Sequence, residues 1–459
     1  MIRFAIAAAL ALLLAAPAVP QTITGCSSVP VNRIETSTDR TKLAADIACL
    51  ERVKVSATNS IARRQSRLTK LDAAPATPKP PAVPTGAPAA GSGDAVEPEP
   101  DGASPTKIPA PIASNIDVAA WLTPGDRIPP KELYDVVGSF RFICLPGQVG
   151  SDDPIVFPGQ PGKSHLHQFF GNTGANARST YASLRTTGDS TCGNQLNRSA
   201  YWIPAMLDGL GFVRRPDYVS IYYKRRPDTD PLCKVQGIAC VALPRGLRFI
   251  FGYDMVSGKQ KTGAGYFNCS DDSGMWSTGH HADIASIAMK CGPGPNGERR
   301  RLGAIITAPD CWDGKRLDSP NHRDHVAYAS YGMDGVLRCP AANPYIIPTF
   351  TLGAWYDVGT IAAGQPGSVA TWSLSSDDMT MDGKVVRMTA GSTLHADWDG
   401  AWDDTVMAAW TDNCINKLLN CNGGELGNGM VLKPQFAAAD MGPKLMPIPA
   451  RGQMIPARP

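Results

Sequence analysis

The chain holds seven histidines, and six of them come in pairs. His165 and His167 form a His-x-His step, and His280 and His281 are adjacent. His322 and His325 lie in Asp318-Ser319-Pro320-Asn321-His322-Arg323-Asp324-His325, and His395 stands two residues before Asp397. Residues two apart on a strand point to one face. His165 and His167 can therefore offer two imidazoles to one cation, as zinc and copper sites require. His322 and His325, three apart, come together on a helical turn. Asp318, Asp324 and Asp397 can ligate, or can orient a ring from outside the coordination sphere. Without a metal, the same groups make a general acid/base set, because imidazole titrates near neutrality. Buried structural hydrogen bonding is the third reading. The expected centre is His165, His167, His322 and His325, either as ligands of zinc or copper or as catalytic groups with Asp318 and Asp324. His280 and His281 follow the Ser/Gly-rich turn 273–279 and read as loop residues.

Aromatic residues flank these motifs. Tyr201, Trp202, Trp312 and Trp398 are the expected substrate-binding residues, since their faces stack on sugar rings. Asp397, Asp399, Asp403 and Asp404 supply carboxylates of the kind a glycan site uses, and paired carboxylates can also cleave glycosidic bonds. Packing in the core is the competing role for each tryptophan. No GxSxG elbow, P-loop, HExxH or dinucleotide fingerprint is present.

These residues need elements to position them. From residue 115 to 428, short β-branched and aromatic runs alternate with Gly/Pro/Asp turns, at 140–144, 218–223, 246–253, 302–307, 325–328, 345–352, 369–374 and 385–389. Strands at that spacing, without interleaved helices, predict a mainly β domain, a sandwich or jelly roll. One amphipathic helix is predicted late, over 404–419. The tail 429–459 is Pro/Met-rich and reads as loose. Upstream, 26–72 carries heptad-spaced apolar residues with eight cations against four anions between Asp39 and Asp72, a basic helix. Residues 73–114 are a Pro/Ala-rich linker, a semi-extended spacer.

Residues 1–25 read as a signal peptide, one cation followed by an apolar run too short to span a bilayer. Ile23-Thr24-Gly25-Cys26 also fits a lipobox, which makes Cys26 a candidate lipid anchor. No transmembrane helix is expected in the mature chain, so the protein reads as secreted, periplasmic or held at the cell envelope. There are 12 cysteines, an even count that reads as a disulfide framework in an exported chain. Ten fall between Cys144 and Cys421, enough for five bridges, with Cys233/Cys240 and Cys414/Cys421 as local loops. A net charge of +3 over 459 residues gives no case for nucleic acid.

Ordered motifs carry a resemblance. They include Phe142-Ile143-Cys144, Asp153-Pro154-Ile155-Val156, Ser164-His165-Leu166-His167-Gln168-Phe169-Phe170-Gly171, Tyr201-Trp202-Ile203-Pro204, Cys311-Trp312-Asp313-Gly314, His322-Arg323-Asp324-His325 and Trp398-Asp399-Gly400. Over residues 136–414 the chain resembles the family catalogued as domain of unknown function nineteen ninety-six. Its members are secreted proteins of fungi and bacteria, some joined to carbohydrate-binding WSC modules. The resemblance implies export and a polysaccharide context, with either an enzyme or a non-catalytic carbohydrate- or envelope-binding module as the outcome. It assigns no activity.

Overall fold

A computed structural model describes residues 108–131, 136–235, 238–259, 264–333, 336–381, 384–434 and 442–456. The expected signal peptide, the expected basic helix, Cys26 and most of the expected linker lie outside the described residues.

The domain is mainly β, as expected. Twelve strands form its two large sheets: β1 (Gly138–Cys144), β2 (Val149–Gly150), β3 (His167–Gly171), β4 (Ala200–Pro204), β5 (Tyr218–Arg225), β6 (Arg248–Gly252), β7 (Gly265–Asp271), β8 (Arg300–Thr307), β9 (Thr349–Asp357), β10 (His395–Asp399), β11 (Asn420–Cys421) and β12 (Met454–Ile455). One sheet runs β6-β10-β4-β3-β2-β12 and the other β7-β8-β9-β5-β1-β11.

Alternation in the second sheet turns one face inward. Along β5, Val219, Ile221, Tyr223 and Arg225 are buried and the residues between them are half-buried. Phe350 of β9 meets Tyr201, Phe249, Phe251 and Trp398 of the first sheet at ring distances of 5.8, 6.3, 5.5 and 5.5 Å. The Tyr201 and Tyr223 hydroxyls share a 2.8 Å hydrogen bond. These contacts place the main core between the sheets, which makes the fold a sandwich.

The first sheet is buried on both faces, with β3, β4 and β10 closed along their whole length. Its outer face holds a second apolar cluster, Phe169, Trp202 and Ile250, covered by Ile155, Ala175 and Leu184. Leu184 comes from the short helix α1 (Tyr181–Thr186), which starts with a capping box between Thr180 and Ser183. The predicted late helix appears as α2 (Asp404–Trp410) and continues as a π-turn through Thr411–Ile415.

Cys144–Cys192, Cys233–Cys240, Cys269–Cys291, Cys311–Cys339 and Cys414–Cys421 are bonded, so both predicted local loops form. The tail is not loose where it is described. Met430–Leu432 pairs with Leu122–Pro124, Leu445–Pro447 with Phe212–Arg214, and β12 with β2. Backbone pairing at sheet edges, which composition does not report, holds it. No helix among the described residues is long and apolar enough to cross a membrane.

Candidate metal centre

The centre is built on the outer face of the first sheet. Across the strands, His167 is opposite Pro204, and Asp397 is opposite both Trp202 and Ile250. Carrying the β10–β4 register two residues further puts His395 beside Pro204. His167 and His395 therefore flank one small residue, and their rings approach to 6.2 Å. His165, just ahead of β3, closes on both, with ring centroids 4.2 Å from His167 and 5.0 Å from His395.

Two donor sets result. One ligand atom each from His165, His167 and His395 lies within 4.8 Å of the others, and the same holds for Asp153, His167 and Asp397. His167 Nδ1 donates to the Asp152 carbonyl at 2.9 Å, and His395 Nδ1 donates to the Thr393 carbonyl at 2.8 Å. A carbonyl only accepts, so each neutral ring carries its proton on Nδ1 and keeps a lone pair on Nε2. Because His167 has one free nitrogen and belongs to both sets, the two sets can share at most one ion through it.

Burial governs the charge states. It pushes His165 well below the usual imidazole value, with His167 and His395 adding to the shift. His167 is lowered by burial, against the pull of Asp153. Burial and then His167 take His395 down to about 3. Asp397 goes the other way, held well above the carboxylate range by burial and by Asp153, with Arg323 opposing. The rings are thus neutral at physiological pH, the form that binds a metal. His165 Nε2, His167 Nε2 and Asp397 Oδ2 are buried without a hydrogen-bond partner among the described residues. Unpaired buried donors and acceptors cost free energy, and a cation in either donor set would satisfy His167 Nε2 together with His165 or with Asp397.

The second histidine motif forms its own group along the free edge of β6. His322 Nδ1 donates to Asp318 Oδ1 at 2.8 Å, and Arg248 Nε donates to Asp318 Oδ2 at 2.7 Å. His325 spends both nitrogens, on Ser319 Oγ and the Arg248 carbonyl, each at 2.9 Å. His322 and His325 are therefore not joined to His165 and His167, and His395 stands in their place. The helical turn assumed for them does not form: His322 takes a left-handed backbone, φ 56°, and the rings face different partners. Asp324 is exposed, and its described hydrogen bonds run through its backbone.

The aromatic platform is corrected by burial. Tyr201 and Trp398 are in the core between the sheets, Trp202 packs on Phe169, and Trp312 is 6% exposed with Nε1 on the Arg316 carbonyl. None presents a face for stacking on a sugar. Asp153 and His395 were not counted as ligands from sequence. The signal for His395 was its two-residue step to Asp397, the same spacing as His165 to His167. A polar cleft of about 370 Å³, lined by Asn176, Arg178, Ser179 and Thr187, has Asp152 in its wall. The residue that orients His167 therefore borders this cleft.

A disulfide-braced β-sandwich with a buried His/Asp cluster on one sheet face is the class that fold and site define. Residues 153–402, more than half of the chain, match the family described as domain of unknown function (DUF1996), and the chain belongs to it. No curated protein matches the chain, and neither does any solved structure.

Proposed function

We propose that this protein is an exported metal-dependent enzyme acting on polysaccharide, with one zinc or copper ion held by His165, His167 and His395 and a carboxylate from Asp153 or Asp397. The observation that carries the reading is that His165 and His167, each with a buried, partnerless Nε2, converge with His395 into a set whose ligand atoms lie within 4.8 Å of one another. Three imidazoles select zinc or copper over calcium and magnesium, which take oxygen ligands. The hydrogen bonds from His167 and His395 to carbonyls fix both rings in the ligating tautomer. An ion here would polarise a water or a substrate oxygen. Five disulfides among the described residues and the leader-like N-terminus support export to an oxidising compartment. The polar cleft beside Asp152 and the family resemblance support a hydroxyl-rich substrate.

The test is release of soluble product from a panel of fungal and bacterial polysaccharides by metal-loaded and chelator-stripped protein. Turnover that is lost on chelation, regained on adding back zinc or copper, and absent in His167→Ala is the expected result. Turnover indifferent to chelation would contradict the metal and favour acid/base chemistry alone. Metal binding without turnover on any glycan would favour the binding-module alternative.

A further inference from the structure

We propose that His322 and Asp318 form a second reactive centre, in which Asp318 holds His322 so that its Nε2 accepts a proton from the O–H of a bound ligand or water. This goes beyond the metal reading and does not depend on it.

The geometry is that of a held base. His322 Nδ1 donates to Asp318 Oδ1 at 2.8 Å, so the neutral ring has its lone pair on Nε2, which makes no hydrogen bond among the described residues. Asp318 is itself fixed. Its Oδ1 accepts from the Ser319 amide at 2.7 Å and its Oδ2 from Arg248 Nε at 2.7 Å. The His322 side chain is 23% exposed, so a ligand can reach it. His322 and Leu418 are the non-glycine residues with positive φ among the described residues. A left-handed histidine costs free energy, and such strain concentrates at functional sites. Here it is held by the Ile250 amide on the His322 carbonyl at 3.0 Å and by His322 N–H on the Ser319 carbonyl at 2.7 Å.

An independent observation lies at the inner end of the group. Asp399, opposite Arg248 across β6 and β10, is 1% exposed, and neither of its carboxylate oxygens has a hydrogen-bond partner among the described residues. The arginine opposite it is the one whose Nε donates to Asp318. Two dry, unsatisfied oxygens opposite the arginine that fixes Asp318 suit a ligand that brings hydroxyl groups. In the step itself the O–H bond breaks and Nε2–H forms. The oxygen keeps the electron pair, and the imidazolium is balanced by Asp318, which stays ionised.

Acylation by diethyl pyrocarbonate reads this directly, because it needs a free, nucleophilic, accessible imidazole nitrogen. The full chain is labelled over time and each histidine is followed by peptide mass spectrometry, in the parent and in Asp318→Asn. His280 and His281 serve as internal references, and metal content is measured in parallel. The expected result is that His322 reacts first and that Asp318→Asn slows it roughly tenfold, with the reference rates and the metal content unchanged. If His322 reacts no faster than His280 and His281, or if Asp318→Asn leaves its rate unaltered, the dyad is refuted. Loss of metal from Asp318→Asn would also refute it, since the residue would then belong to the metal centre. A His322→Gln protein, which must lose that labelled peptide, checks the assignment.

Discussion

What separates the histidines is how each ring nitrogen is used. His325 donates from Nε2 to a carbonyl and accepts at Nδ1 from a hydroxyl, so it has nothing left for a ligand. His167 and His395 each spend one nitrogen and retain one. His280 stacks on Tyr266 at 3.7 Å, and His281 Nε2 contacts the Thr278 carbonyl, in keeping with the loop role read from sequence. Residue type and spacing singled out His165 and His167, whose rings lie 4.2 Å apart, as a pair. They were silent on which neighbour would consume a given nitrogen, because that is decided by carbonyls distant in sequence. His325 yields a pH prediction. Burial lowers it from 6.5 to about 4, with Asp318 opposing. The folded state therefore binds this proton more weakly than the unfolded chain. Its contribution is complete above pH 6.5 and is lost as pH falls through about 4. Unfolding free energy should drop across that window, by about 3 kcal/mol from this ring alone. In His325→Gln, less stable at neutral pH, denaturant titrations from pH 7 to 4 should show a shallower fall; an unchanged slope would refute the assignment.

At the scale of elements, the strands readable from sequence are those with one solvated face or a strong apolar run. β5 and β8 were found for that reason. The three that carry or frame the centre, β3, β4 and β10, are buried on both faces and include His167, His395, Asp397 and Asp399. A doubly buried strand shows no period-two alternation, and polar residues in it mimic a loop. The strands of the candidate centre were thus the least visible ones. Helix α2 was legible because its signals are local, and its N-cap makes a further prediction. Asp403 accepts the Thr405 and Val406 amides on Oδ1 and pairs with Arg185 on Oδ2 at 3.3 Å, both side chains buried. Asp403→Ala should cost about 3–5 kcal/mol, since it leaves a buried guanidinium without its anion, against about 1 kcal/mol for a cap alone. Asp403→Asn keeps the cap and should cost less than Ala. Equal losses in denaturant melts would contradict that division.

Across the whole molecule, the sandwich supplies a rigid wall and the loop carrying Asp152, Asp153, Ser164 and His165 lies over it. That loop is tied down by Asp152, whose carboxylate takes the Gly162 and Ala177 amides, and by β12, which pairs with β2 next to His167. The domain's β class and disulfide count were legible because they depend on composition and short runs. The assembly of His165, His167, His395, Asp153 and Asp397 was not, because it joins residues more than two hundred positions apart. The most direct test is elemental analysis of the purified, oxidised protein after zinc or copper is offered and excess removed, beside a His165→Ala/His395→Ala variant. The account predicts one ion per chain in the parent and none in the variant, with both folded. A parent that binds no zinc or copper, or a variant that still holds a full equivalent, would contradict it.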